Sequence, residues 1–212
     1  QRTWSEELCE LMEVPQRSLP ALAATGSLCG ALSREAAEAT GLPQGLPLFL
    51  GGGDQQCAAL GAGEAGPGSG GICLGTAAVA TCAVSSPVKT LPRGIFCTVH
   101  IAEDSWLLEG IQNAFGGGLA WAARSLGFDS EADLIREACL SGKRGASVPV
   151  FLPFMAGIGS PDFDSVARGG FLGVSHAHNR SELARACLEG VCLELSRILD
   201  TMSLHAPLDR IV

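Results

Sequence analysis

Between Trp4 and Val14 apolar residues recur at helical spacing, with Trp4, Leu8, Leu11 and Met12 on one side, and Pro15 and Pro20 end the segment. Ser33 to Thr40 predicts a short helix stopped by Gly41, with Pro43 just beyond. Leu46 to Leu50 is a compact apolar run, the pattern of a buried strand, and it empties into Gly51-Gly52-Gly53-Asp54-Gln55. Small apolar residues from Gln56 to Gly63 predict the start of a helix packed closely on its neighbours. From Glu64 to Gly71 four glycines and a proline fall within eight residues, the composition of a loop or a domain boundary.

Ile72 to Ser85 then predicts strand, turn, strand, with Val79 to Val84 suited to a buried sheet, and Gly94 to Glu109 predicts a second strand pair. Gly116 to Leu126 opens on glycines and turns helical, with Leu119, Ala123 and Leu126 at helix spacing. Val148 to Phe154 is a short apolar run before a loop from Met155 to Arg168. The best-defined helix follows: Asn179 with Glu182 at the third helical position makes a capping box, and Leu183, Ala186, Cys187, Gly190, Val191, Ile198 and Leu199 share one face as far as about Met202. Strands and helices mixed in this order define an α/β fold.

Composition narrows the function. The chain has 212 residues, 47% hydrophobic and 17% charged, which is globular, and no run of 18 apolar residues occurs to span a membrane. A net charge of -8 repels a nucleic-acid backbone, so that class of partner is excluded. Small phosphorylated ligands are compatible with acidity, because backbone N–H groups can hold phosphate. Nine scattered cysteines without a C-x-x-C predict small buried thiols in a reducing cytosol rather than disulfides, and His176 with His178 lacks the thiol half of a zinc ligand set. The chain opens at Gln1 with neither a methionine nor a signal-peptide core and closes on Arg210-Ile211-Val212, so both ends read as cut.

Three short segments carry candidate chemistry. A strand ending in three glycines and an acid can present Asp54 at a sheet edge with the backbone open to a ligand; the alternative is a tight turn with a solvated aspartate. Cys73-Leu74-Gly75-Thr76 can offer turn N–H groups and a hydroxyl to a phosphate; the alternative is an ordinary hairpin. Gly116-Gly117-Gly118 at a helix start suits phosphate or a flat nucleotide group against the backbone; the alternative is close helix packing. Together they suggest a nucleotide site with one acid left for chemistry. Other routes fail: Glu137 and Arg144 occupy the first glycine and the final Ser/Thr positions of a P-loop ending at 141–144, and Pro67 stands where a G-x-S-x-G elbow needs glycine. No G-x-G-x-x-G follows a strand.

In this order the motifs resemble the FGGY carbohydrate kinases over nearly the whole chain. Gly41 to Gly63 is similar to that family's strand and catalytic-aspartate segment, Leu74-Gly75-Thr76 to its phosphate-contacting turn, and Leu108-Glu109-Gly110 through Trp121 to the segment bordering the nucleotide. Ser160-Pro161-Asp162-Phe163-Asp164 with Ala167-Arg168-Gly169 resembles its S-P-x-x-D…A-R-G loop, and Gly169 to Val174 with Glu182-Leu183 and Ala186 to Glu189 its C-terminal signature; Cys187 departs mildly from the usual residue.

The resemblance implies an actin-like, ribonuclease-H-like two-domain α/β sugar-kinase fold, incomplete at both ends. Residues 1–62 would end the sugar-binding domain, and 69–212 would begin the nucleotide-binding domain, with a cleft between them. It implies ATP-dependent phosphorylation of a ketose or polyol, D-xylulose first, in the cytoplasm, with ATP and Mg²⁺. Asp54 would be the base and Gln55 would lie beside the sugar. Gly75 and Thr76 would contact phosphates, and Gly116, Gly117 and Ala120 would line the nucleotide pocket. Gly52 to Gln55 favours xylulokinase-like members, whereas Met155 to Gly159 resembles the glycine-rich loop of glycerol kinase. The remaining phosphate and adenosine loops would lie before Gln1 and after Val212, so the segment alone is expected to be inactive. Apolar surface left uncovered would favour a homodimer. The alternative function is a non-catalytic, nucleotide-binding or regulatory relative.

Overall fold

In the computed structural model, which describes residues 3–143 and 145–212, the chain divides into two compact units, Gln1–Asp54 and Gln55–Val212. Gln1, Arg2 and Arg144, on which the readings of a cut start and of a failed P-loop rest, lie outside the described residues.

In the first unit, helix α1 (Glu6–Leu11) starts where the Ser5 hydroxyl accepts the Leu8 amide at 3.2 Å. A 3-10 turn, Gln16–Ser18, follows, and strand β1 (Leu28–Ala31), helix α2 (Arg34–Thr40) and strand β2 (Pro47–Phe49) complete the unit. The Ser33 hydroxyl caps α2 by accepting the Ala36 amide, and Gly41 ends it at φ 74°, a left-handed conformation that glycine adopts without a Cβ clash. β1 and β2 pair antiparallel. The buried strand expected at Leu46 to Leu50 is corrected: β2 is present, yet Phe49 is 62% exposed, and none of the described residues of this unit is buried. Two strands and two short helices cannot enclose a core of their own.

The second unit is built on α3 (Asp54–Ala62, opened by the last residue of the first unit), β3 (Gly68–Leu74), β4 (Ala78–Val84), β5 (Ile95–Val99), β6 (Trp106–Gln112), α4 (Gly116–Leu126) and α5 (Glu131–Leu140). It continues with β7 (Val150–Leu152), β8 (Gly170–Leu172), α6 (Arg180–Ser203) and β9 (Leu208–Ile211). The main sheet runs β5-β6-β4-β3-β9, antiparallel throughout except for the parallel β3–β9 pair. Strand alternation sends Ala80, Cys82 and Leu108 to one face, where they pack on Leu195, Ile198 and Met202 of α6. Ala83 and Leu107 face the other way and meet Ala59 of α3.

A second core joins α4, α5 and α6 to β7 through Leu119, Leu134, Phe151, Cys187 and Val191. Gly190 makes this contact possible: a Cβ there would stand 2.4 Å from the Phe151 carbonyl oxygen. The capping box is present, with the Asn179 side chain accepting the amides of Ser181 and Glu182 and the Glu182 carboxylate accepting the Asn179 amide at 2.8 Å.

Two further expectations change. The glycine-rich stretch to Gly71 is not all loop: β3 begins at Gly68, because a Cβ at Gly70 would lie 2.8 Å from the Thr81 carbonyl oxygen and one at Gly71 1.9 Å from a Glu64 carboxylate oxygen. These glycines let neighbouring chain approach rather than mark a flexible link. Of the nine cysteines only Cys82 and Cys187 are buried; Cys29, Cys57, Cys73, Cys139 and Cys192 are exposed. No helix among the described residues is long and apolar enough to cross a membrane.

Candidate active site

The turn between β3 and β4 closes when the Gly75 amide donates to the Ala77 carbonyl at 2.9 Å. The start of α4 is then tied to it: the Gly116 amide donates to the Gly75 carbonyl at 3.1 Å and the Gly117 amide to the Thr76 carbonyl at 2.9 Å. Only glycine fits at 116, since a Cβ would stand 2.5 Å from the Gly75 oxygen. Ala120, half-buried, follows on the same face of α4, four residues after Gly116 and three after Gly117. The structure therefore gathers all five residues expected at a nucleotide, Gly75, Thr76, Gly116, Gly117 and Ala120, around one turn.

The amide of Gly75, at a turn expected to contact phosphates, and those of Gly116 and Gly117, expected to line a nucleotide pocket, are each bonded within the protein. Thr76 is exposed, and among the described residues neither its amide nor its hydroxyl has a hydrogen-bond partner. At this turn the Thr76 amide and hydroxyl are the donors not used within the described residues, and the glycines provide close approach.

Asp54 is exposed and opens α3, with Gln55 beside it in the first turn. Gln55 also lines a pocket of about 210 Å³ with Glu64, Ile72, Cys73 and Thr81. Sequence reasoning gave no role to the polar groups beneath α3. Glu64, 2% exposed, accepts the Thr81 hydroxyl at 2.8 Å, and its own carbonyl lies 2.8 Å from Nε2 of His100. Burial, opposed by the Thr81 hydrogen bond and the His100 charge and reinforced by Glu109, holds the Glu64 carboxyl above its ordinary range. A glutamate in a glycine-rich stretch reads as a solvated loop residue, so no local signal marks it.

The loop after β7 is pinned to the sheet through Ser160, whose hydroxyl donates to the Gly94 carbonyl at 2.6 Å and accepts the Ile111 amide at 2.7 Å. Asp162 pairs with Arg197 of α6 at 2.5 Å. Among the described residues no three His, Cys, Asp or Glu side chains gather to hold a metal ion.

A mixed sheet covered on both faces, with a glycine-bordered turn at the start of a helix, defines an α/β protein. The chain belongs to the FGGY family of carbohydrate kinases: the family's C-terminal domain model matches residues 70–212 and its N-terminal domain model residues 1–61. It is 33% identical over 204 residues to a xylulose kinase of Klebsiella pneumoniae, covering 95% of this chain and 41% of that protein. To a xylulose kinase of Escherichia coli K12 it is 32% identical over 204 residues, with the same coverage. The crystal structure of xylulose kinase from Rhodospirillum rubrum superposes with a TM-score of 0.83 at 30% identity, covering 99% of this chain and 42% of that one. The fold is the actin-like α/β fold of these sugar kinases. The chain spans about two fifths of the length of the curated relatives it matches.

Proposed function

We propose that the protein containing this chain transfers the γ-phosphoryl group of ATP to a hydroxyl of a ketose or polyol, D-xylulose first among them. The observation that carries this is the bonded turn at Gly75 and Thr76, which leaves the Thr76 amide and hydroxyl for a phosphate against the glycine-lined start of α4. The named activity of the 33% identical relative supports xylulose as the acceptor. In this reading residues 1–62 belong to the sugar-binding domain and 69–212 to the nucleotide-binding domain.

Asp54 takes the proton of the acceptor hydroxyl as its oxygen attacks the γ-phosphorus in line; the bond to the bridging oxygen breaks and ADP leaves. Gln55, the next residue of the same helical turn, hydrogen-bonds a sugar hydroxyl. Thr76 donates to the phosphate chain, and Gly116, Gly117 and Ala120 let the nucleotide lie against the backbone. Mg²⁺, when bound, would neutralise charge on the phosphate oxygens and would be held largely through ATP and water.

The test is ADP release by the full-length protein across a panel of ketoses and polyols, beside Asp54→Ala. Release with one acceptor, abolished in a variant that still binds ATP, is the expected result. Sugar-dependent release that survives the substitution would remove Asp54 from the mechanism.

A further inference from the structure

Helix α3 carries the two residues assigned to the acceptor, yet its packing hardly constrains its roll. Its sheet-facing contact is Ala59 against Ala83 and Leu107; Ala58, Gly61 and Ala62 are small, and the larger Cys57 and Leu60 are exposed. Side chains this small make no deep ridge to lock into a groove. What holds the first turn is polar. The Gln56 amide nitrogen donates to Oε1 of Glu109 at 3.1 Å and lies 3.3 Å from the Thr98 hydroxyl, which itself donates to the same glutamate oxygen. Thr98 and Glu109 stand on neighbouring strands, β5 and β6, so three elements converge on one carboxylate oxygen.

The far end of the helix is held in the same way. Directly after α3, Glu64 accepts from Thr81, the residue of β4 paired with Glu109, and its carbonyl is met by His100. Gln56 and Ala59, three residues apart, share the face toward the sheet, whereas Asp54, two residues before Gln56, is turned about 200° from it. Fixing Gln56 on the sheet therefore fixes the direction in which the first turn presents its outward side chains.

We propose that Gln56, Thr98 and Glu109 form a positioning clamp that sets the roll of α3 and thereby aims its first turn for phosphate transfer. This rests on the reading of Asp54 and Gln55 as the acceptor-side residues. None of the three touches a reacting atom; each acts through the helix.

The experiment compares the full-length protein with Gln56→Leu, Glu109→Leu and Glu109→Gln, in the same acceptor assay. Gln56→Leu and Glu109→Leu are expected to lower kcat about 100-fold, the effect of a small misplacement of a reacting group, with KM for ATP unchanged. Glu109→Gln keeps a carbonyl oxygen that accepts both bonds and is expected to restore most of the rate. A folded Gln56→Leu protein with the parent kcat overturns the clamp, as does a Glu109→Gln variant no better than Glu109→Leu. Amide hydrogen exchange over residues 55–62 tests the clamp without reference to catalysis. Faster exchange in Gln56→Leu and Glu109→Leu supports it, and unchanged protection overturns it. An Asp54→Ala protein that keeps its activity refutes the base assignment while leaving the exchange result to judge the clamp by itself.

Discussion

The amide of Gly117 donates to the Thr76 carbonyl at 2.9 Å, so the first turn of α4 and the β3–β4 turn form one hydrogen-bonded piece. The neighbouring bond from Gly116 to Gly75 completes it. The turn assembled this way is preorganised: its Gly75 and Thr76 carbonyls are already satisfied, and in the proposed function the Thr76 amide and hydroxyl would meet the phosphate.

Gly116→Ala places a methyl group 2.5 Å from the Gly75 oxygen, so the turn and the helix must separate. A strain of about 1–3 kcal/mol transmitted to the site corresponds to a loss of ATP affinity of about tenfold or more. Gly118→Ala is the control, since its Cβ meets Val191 at 3.8 Å, an ordinary contact, and binding is expected to stay at the parent value. Isothermal titration of both variants with ATP decides it; equal losses would mean that the turn does not hold the nucleotide.

Glu64 makes stability depend on pH. Its carboxyl titrates near 4.5 in an unfolded chain and higher in the folded one, chiefly because of burial. Between those two values the folded state holds a proton that the unfolded state releases, so this contribution is complete below the unfolded pKa and is lost as pH rises through the folded one. Glu64→Gln, which keeps an acceptor for Thr81 and does not titrate, is expected to gain in Tm relative to the parent as pH rises from 4.5 to 8, by about 2–4 °C per kcal/mol. A Tm difference independent of pH would show that the buried carboxyl is not shifted.

Gly190→Ala drives a methyl group into the Phe151 backbone, with its Cβ 2.4 Å from the carbonyl oxygen, and must push α6 from β7. The expected cost is about 1–3 kcal/mol in a urea titration, with an unchanged slope. A midpoint equal to the parent's would mean that the helix shifts freely.

Burial pushes the thiol pKa of Cys82 up to about 11 and that of Cys187 up to about 12. At pH 8 an alkylating reagent is expected to leave both unmodified in the folded protein while Cys29, Cys57, Cys73 and Cys139 react. Mass mapping of the labelled peptides checks this, and early labelling of Cys187 would show that the α4–α6 core opens.

Much of the element pattern was readable from local chemistry. The Asn179–Glu182 capping box, the Gly41 stop and the apolar Val79 to Val84 strand each depend on neighbours within a few residues, and each is present. Helix α5 and strands β1, β8 and β9 escaped prediction. β9 and β8 are short segments whose hydrogen-bond partners lie far away in sequence, β9 beside β3 and β8 beside β7. Helix α5 alternates apolar and charged residues without a long apolar stripe. For the site, glycines and an acid at strand ends marked Asp54, the Gly75–Thr76 turn and the glycines from Gly116 as candidates, and the family resemblance added Gln55 and Ala120. Spacing said nothing of Gln56, Thr98 and Glu109, whose meeting depends on how β5 and β6 lie under α3.

By itself, then, the sequence determined the class of protein: its motifs, in their order, belong to one family of carbohydrate kinases, and capping, turn and alternation chemistry act over a few residues wherever the chain goes. Only the tertiary structure decided that the glycine amides at 75, 116 and 117 are bonded internally while the Thr76 amide is not. It alone decided that β2 stays exposed and that Glu64 is buried. The reason is physical: hydrogen-bond satisfaction and burial are properties of what stands opposite a group, and residues dozens of positions away supply that neighbour only once the sheet has formed.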